Sequence, residues 1–210
     1  CNDTDIVIPE KSPAGDIVTM IAEYAFYGAE DINSIVFAGR TLELDKKAFQ
    51  SCETEKIVIT GCDMVIGENT FSYCEDVTEV IISGSNIEVE TYAFYDTGKD
   101  MNVKIINCTG VLDDKAFQSC GITALNICGS ETVMGDNAFS YCEDLTDVII
   151  GVGNTEIGTY SFYDCTSLEN VSIAADSEDD SLSLVIDDKA FQSCSVQNVV
   201  IGRGNVELGD

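Results

Sequence analysis

The sequence predicts a tandem-repeat solenoid, in which a coil of about 23 residues recurs along the whole chain. Three observations predict it: phenylalanine returns at a nearly constant spacing, apolar and small residues keep fixed offsets from it, and a short alternating apolar segment follows it. We expect each coil to contribute one short parallel strand, with little helix. Eight such coils would stack at about 4.8 Å per coil, and only neighbouring coils would touch.

The period is set by eight phenylalanines. Their spacing is 22 or 23 residues, apart from one spacing of 29: Phe26, Phe49, Phe71, Phe94, Phe117, Phe139, Phe162 and Phe191. An apolar residue such as Ile66 stands five positions before each Phe, and a small residue such as Ala116 stands one position before. Three positions after Phe, six of the eight coils carry cysteine. Fixed columns of this kind predict a core in which equivalent residues stack from coil to coil.

The strand is predicted from alternating apolar pairs such as Ile57 and Ile59, because a period of two buries one face of a strand. The residue between each pair should then point outward. In three consecutive coils this residue is Val36, Val58 or Ile81, and we expect the three to form one apolar strip. Exposed apolar patches often mark contacts, whereas β-propensity alone would also favour these residues.

We therefore take this outer strand face as the candidate contact surface, for a ligand or for another copy of the chain. Polar residues border the strip, and the next two coils continue its column with a lysine and an asparagine. The candidate binding residues are Val36, Val58, Ile81, Lys56, Glu79, Lys104 and Asn126.

The sequence also has a second, longer repeat that spans three coils. The stretches 69–82 and 137–150 are nearly identical and start 68 residues apart, which indicates duplication of a three-coil unit. Two insertions break the coil period, one containing Pro9, Pro13 and Gly15 and the other the acidic run 176–180. Both compositions are typical of exposed loops.

Both ends of the chain are interpreted as cuts through a longer array. Cys1 precedes Ile6 by the same number of residues as Cys52 precedes Ile57, so it fills the cysteine column of a missing coil. The segment 206–210 ends where the next Phe turn should begin. Residues 1–210 are therefore expected to be a single solenoid of about eight coils, truncated within a repeat at both ends.

Composition bears on the possible partners. The formal charge of −28, with 38 acidic and 10 basic side chains, would repel a nucleic-acid backbone, so no nucleic-acid partner is expected. No apolar run approaches the roughly 20 residues that span a bilayer, and membrane insertion is not expected. No basic and apolar signal segment opens the chain.

The titratable residues give little sign of catalysis. The chain has no histidine, which removes the commonest general base, so we expect no enzyme, no catalytic residues and no cofactor. Zinc is disfavoured for the same reason, and no metal ligand is assigned. Acidic pairs such as Asp113 and Asp114 leave calcium open as an alternative to a solvated charged face.

The ten cysteines are interpreted mainly as buried free thiols that behave as small apolar side chains. Equivalent cysteines on adjacent coils would be close enough for a disulfide, but their parallel Cβ directions suit stacking better. Cys62 and Cys108 occupy equivalent positions two coils apart, about 9.6 Å along the axis, which is too far for a bridge.

The repeated motif resembles the BspA-type leucine-rich repeats. The coil that runs from Ile66-Gly67 through Thr70-Phe71-Ser72-Tyr73-Cys74 to Val80-Ile81-Ile82 is close to the family pattern, and the resemblance covers essentially the whole chain. It implies a leucine-rich-repeat-like, right-handed superhelix from a protein that is extracellular or on a cell surface.

The resemblance also implies a function. Several proteins of the family adhere to host proteins or to other cells, so we expect a non-enzymatic recognition or adhesion module. Its partner would be a protein or glycan of a host or neighbouring cell, and self-association is also compatible with the strip. The alternative is a passive stalk that spaces another domain from the cell.

Overall fold

The structure, a computed structural model, describes residues 4–8, 11–38, 41–106, 109–128, 131–151, 153–173, 183–202 and 205–210. Within these ranges there is no helix, and every pairing between strands is parallel. The strands are β1 (Thr4–Val7), β2 (Met20–Ile21), β3 (Ile32–Ala38), β4 (Leu42–Leu44), β5 (Thr54–Ile66), β6 (Glu79–Val89), β7 (Met101–Ile106), β8 (Thr109–Leu112), β9 (Ile122–Cys128), β10 (Glu131–Met134), β11 (Asp147–Ile150), β12 (Asn154–Ile157), β13 (Asn170–Ile173), β14 (Ser183–Ile186), β15 (Asn198–Ile201) and β16 (Asn205–Leu208).

The predicted solenoid is confirmed, with one correction: a coil contributes two strands, where one was predicted. The second strand, such as β10, ends at the apolar residue five positions before Phe. Its other inward position is apolar in several coils, as at Leu42, Met64, Ile87 and Leu184, but it holds Gly110 in β8 and buried Thr132 and Thr155 in β10 and β12. Because these three coils lack the apolar alternation, it does not recur along the chain as that of the first strand does, and the second strand was not predicted.

The two strands of each coil build two parallel ladders along the axis. One ladder contains β1, β3, β7, β9, β11, β13 and β15, and the other contains β2, β4, β8, β10, β12, β14 and β16. Strands β5 and β6 run through the corner between the ladders and join them into one 16-stranded sheet. Gly84 lies at this corner with φ of 148°, where a Cβ would collide with the carbonyl oxygen of Gly61.

The phenylalanines form a continuous stack through about seven turns. Consecutive rings from Phe26 to Phe191 are nearly parallel, with centroids 4.5 to 5.4 Å apart. The six from Phe49 to Phe162 are fully buried. Burying such a side chain stabilises the fold by about 1.5 to 3 kcal/mol, so the column is a main source of cohesion between coils.

The segment around each Phe is a succession of tight turns that forms a third hydrogen-bonded wall. Residues two before and two after Phe have positive φ in every coil, for example Asn69 and Tyr73 around Phe71. In this conformation alternate N–H groups point along the axis. Phe71 N–H donates to the carbonyl of Ala93 at 2.7 Å, and Tyr73 N–H donates to that of Tyr95 at 2.9 Å. The turns therefore bind each coil to the next, as the strands do.

The described part of the first insertion is an exposed turn, in which Gly15 N–H donates to the Ser12 carbonyl at 2.9 Å. The second insertion, 176–180, lies outside the described residues, as do Cys1, Pro9 and Cys108. Among the residues described, no helix is long and apolar enough to cross a membrane.

Candidate functional site

The predicted strip lies in register on the outer face of the first-strand ladder. Val36 pairs with Val58, and Val58 pairs with Ile81, on β3, β5 and β6. The same column continues through Lys104 on β7 and Asn126 on β9. The structure thus brings all five column residues of the predicted surface into one row.

The strip is half-buried. Val36, Val58 and Ile81 each keep part of their surface exposed, while the flanking Ile57 and Ile59 are fully buried. The next apolar residue of the column, Ile149, is 47% exposed and stands three coils beyond Ile81. The three side chains of the strip lie side by side on adjacent strands and form a continuous surface. Ile149 has no apolar neighbour in this column on the strand before or after it.

An ionic trio borders the strip. Glu79 accepts from Lys56 at 2.6 Å, and the ammonium of Lys104 lies 3.6 Å from its second oxygen. The hydrogen bond from Lys56 lowers the pKa of the Glu79 carboxyl. Exposed ion pairs of this kind add little stability, about 0 to 1 kcal/mol. Two lysines around one glutamate leave this patch with a positive excess on a chain whose formal charge is −28.

The acidic residues form no metal site within the described part of the chain, where no group of three or more His, Cys, Asp or Glu could hold an ion. Several instead join coils. Asp114 Oδ1 accepts from Asp136 N–H at 2.8 Å, and Asp136 Oδ1 accepts from Thr159 N–H at 2.9 Å. Burial raises the pKa of Asp113, and the charges of Glu88 and Asp114 raise it further.

The cysteine column does more than fill space. Seven cysteines whose side chains the structure describes are free, and the six that belong to the column donate hydrogen bonds to the Phe carbonyl of the preceding coil. Cys74 Sγ lies 3.2 Å from the Phe49 oxygen, and Cys120 Sγ lies 2.7 Å from that of Phe94. Burial raises the pKa of Cys52 to about 11 and that of Cys142 to about 12. These buried thiols are therefore neutral donors, whereas the hydrogen bond with Cys165 lowers the pKa of Cys194.

A second surface feature, which the sequence interpretation missed, lies on the Phe turns. We call Tyr73, Tyr92, Tyr95 and Lys115 the first tyrosine cluster. Tyr95 meets Tyr73 edge to face at 5.5 Å and Tyr92 at 5.4 Å. Lys115 Nζ lies over the Tyr92 ring at 5.3 Å and donates to its hydroxyl at 3.1 Å. Three adjacent coils contribute to the cluster.

The second tyrosine cluster repeats this arrangement with Tyr141, Tyr160 and Tyr163, each 68 residues later, and with Lys189, which lies 74 residues later because of the six-residue insertion. Both of its edge-to-face distances are 5.4 Å, and the lysine lies 5.6 Å from the Tyr160 ring. A partial copy near the start of the chain has only Tyr24, Tyr27 and Lys47. These clusters could have been predicted from the three-coil period of the sequence, because Tyr24, Tyr92 and Tyr160 are separated by that period of 68 residues.

Backbone strain accompanies the clusters. Tyr73, Tyr92, Tyr141 and Tyr160 have φ of 58° to 61°, whereas Asn69, which tolerates this region better, fills the equivalent position in another coil. The left-handed region costs roughly 1 to 2 kcal/mol per residue. An edge-to-face contact returns about 0.5 to 1.5 kcal/mol. Because every coil has this backbone, with lysine, serine or aspartate in some of them, the turns do not require tyrosine at these positions.

Comparison with known proteins identifies one family. The BspA type leucine rich repeat region matches the chain in six copies, over residues 1–123 and 88–210. No curated protein and no solved structure matches the chain.

Proposed function

Because the chain belongs to the BspA type leucine-rich repeat family, a family that is often surface-associated, we propose that it is a recognition or adhesion module of a larger protein. In this proposal it has no catalytic role and acts outside the cell or at its surface. Its partner is a protein or glycan of a host or neighbouring cell, bound through the first-strand face and the adjacent loops.

The observation that carries the proposal is the apolar strip of Val36, Val58 and Ile81, in register and partly exposed beside the ionic trio. An apolar centre with a charged border is the usual arrangement of a protein contact surface. Lys56 and Lys104 give the border a charge opposite to that of most of the chain. A partner with an acidic rim would meet attraction here and repulsion elsewhere.

A passive stalk is the rival function. A stalk needs only the stacked core, so its outer faces should tolerate charge at any position. The continuous strip favours recognition, because three adjacent coils keep an apolar side chain at an outward position where a charged one would cost the fold little.

The test compares charge substitutions along one column. The purified chain would be immobilised and probed with a panel of extracellular-matrix proteins and a glycan array. We expect Val58→Glu and Ile81→Glu each to weaken any interaction found by at least about tenfold, equivalent to about 1.4 kcal/mol. Ile149→Glu is the matched control, since it adds the same charge to the same column outside the strip.

Circular dichroism would check that all three variants remain folded. Loss of binding in the strip variants alone supports recognition through this face. Equal binding by all variants would overturn the assignment of the face, and an absence of any partner across the panel would favour the stalk. Sedimentation of the wild-type chain would test whether the strip joins two copies instead.

A further inference from the structure

We propose that the two tyrosine clusters form a second binding surface, which holds a neutral polysaccharide chain across the Phe turns. This surface is separate from the apolar strip, because it lies on the turns and not on the outward face of the first strands. The proposal rests on the placement, exposure and repetition of the tyrosines.

The placement of the rings points to contact with something outside the chain. Tyr73 and Tyr141 adopt a left-handed backbone that suits glycine or asparagine, and they remain 44% and 42% exposed. Every coil has this backbone at the same position, and Ser51 and Ser119 fill it in other coils, so the turn does not require tyrosine there. The core therefore does not account for these two largely exposed aromatic side chains.

The chemistry of the clusters suits sugar rings. A sugar presents a face of C–H groups that packs on an aromatic ring, and its rim of hydroxyls needs donors and acceptors. Beside Tyr141, the carboxylates of Asp96, Glu143 and Asp144 line a surface groove and would accept from such hydroxyls. In the first tyrosine cluster, the Tyr92 hydroxyl and the Lys115 ammonium lie together at the end away from Tyr73.

The charges favour a neutral ligand over a charged one. Each cluster already holds its own ammonium over a ring, at Lys115 or Lys189, so the site that would attract a cationic side chain is occupied. A polyanion would meet a chain of formal charge −28. A cationic ligand would be attracted by the acidic chain as a whole and would gain little from the tyrosine rings, whereas an uncharged chain of sugars depends on the rings and is not repelled.

The repetition favours a polymer. Tyr73 and Tyr141 occupy equivalent positions three coils apart, which corresponds to about 14 Å along the axis. A ligand with a regular repeat can occupy both clusters at once, and the second contact is then intramolecular and gains from a high effective concentration. A single sugar would use one cluster only and bind weakly.

The experiment uses Tyr→Asn substitutions, because asparagine removes the ring while suiting the left-handed backbone. Affinity electrophoresis of the whole chain would be run through gels containing a neutral glucan, mannan, galactan or N-acetylated amino-sugar polymer. We expect at least one polymer to retard the wild type. Tyr73→Asn or Tyr141→Asn should weaken retardation about tenfold, and the double variant by about a hundredfold or more.

Two controls separate this proposal from the preceding one. Tyr27→Ser removes an exposed ring from the partial copy and should leave retardation unchanged, as should Val58→Glu on the apolar strip. The proposal would be overturned if none of the four neutral polymers retarded the wild-type chain, or if the double variant were retarded as strongly as the wild type. Tyrosine-dependent binding to polylysine instead would assign the clusters to a cationic partner and overturn it as well.

Discussion

The Thr97 hydroxyl donates a hydrogen bond to the carbonyl oxygen of Phe71, one coil away, at 2.7 Å. Threonine here occupies the column that holds cysteine in six of the eight coils. Cys74 and Cys120 make the same contact with their own preceding Phe, so in the seven coils after that of Phe26 and Ala29 this column holds a small side chain that can donate. A buried carbonyl that loses its donor is costly, which explains why a purely apolar residue is not found at Thr97.

The first prediction concerns this contact. Thr97→Val keeps the shape of the side chain but removes the hydroxyl, so we expect the free energy of unfolding to fall by about 1 to 3 kcal/mol. Thr97→Cys should stay close to the wild type, since a thiol donates from this column in neighbouring coils. Urea denaturation of both variants measures the difference. Equal stability of the two would contradict a donor role.

The second prediction concerns the Phe stack. Phe117 is fully buried between Phe94 and Phe139, with centroids 4.5 and 5.2 Å away. Phe117→Ala should therefore destabilise the chain by about 3 to 5 kcal/mol, and Phe117→Leu by clearly less. Thermal and chemical denaturation would measure both. A loss below about 1 kcal/mol for the alanine variant would show that the stack does not hold the coils together.

The third prediction concerns the cysteines. Cys74, Cys120 and Cys142 are buried, and burial raises the pKa of each thiol. At pH 8 they should resist iodoacetamide in the native chain and react fully in denaturant, because the thiolate is the reactive form. Cys128 and Cys194 are more accessible, and the hydrogen bond with the Cys165 thiol lowers the pKa of Cys194, so these two should react first. Mass spectrometry would locate the labels, and four or more disulfides in the native chain would contradict the free-thiol interpretation.

The fourth prediction concerns pH. Burial raises the pKa of Glu90, and the nearby Glu88, Asp113 and Glu68 raise it further, although the Glu68 N–H bonds to it at 2.9 Å. A raised carboxyl pKa means that the folded state disfavours the charged form, so stability should increase as pH falls from 7 through the folded pKa toward 4.5. Glu90→Gln keeps the acceptor without the charge and should raise the melting temperature at pH 7.

The control for that experiment is Glu131→Gln, which removes the same unit of charge from an exposed position. The advantage of Glu90→Gln over this control should shrink as the pH approaches 4.5, because the wild-type carboxyl is then protonated in the folded state. An equal effect of the two variants at every pH would indicate a response to net charge alone.

The parts of the fold that could be predicted from sequence are those in which the same type of residue returns at the same position of each coil. The Phe column and the apolar strip follow from fixed offsets, and the structure places Phe71 and Val58 as those offsets require. The second strand was missed because its apolar alternation, present at Leu42 and Leu44, is interrupted at Gly110 and Thr132 and so does not recur in every coil. The donor role of cysteine was missed because a small buried thiol has the same sequence signature as a small apolar side chain.

The tyrosine clusters could not be predicted from the coil period, because they recur only in every third coil. Tyr73 and Tyr92 stand in different columns of the repeat. Both lie in left-handed turns, a conformation that tyrosine rarely adopts, and their edge-to-face contacts depend on these turns. The positive φ at both columns is a property of the hydrogen-bonded turns, which appears only once the coils are stacked.

The hydrogen bonds between coils, in both ladders and in the Phe turns, run along the axis of the solenoid. Tension applied between the two ends would therefore pull these hydrogen bonds along their own direction, and the coils would open one after another. It would not load many hydrogen bonds at once in shear. Each coil that opened would exchange about 4.8 Å of folded length for up to about 80 Å of extended chain. A solenoid of this kind yields in small steps at modest force and lengthens many times before the covalent bonds of its backbone are strained.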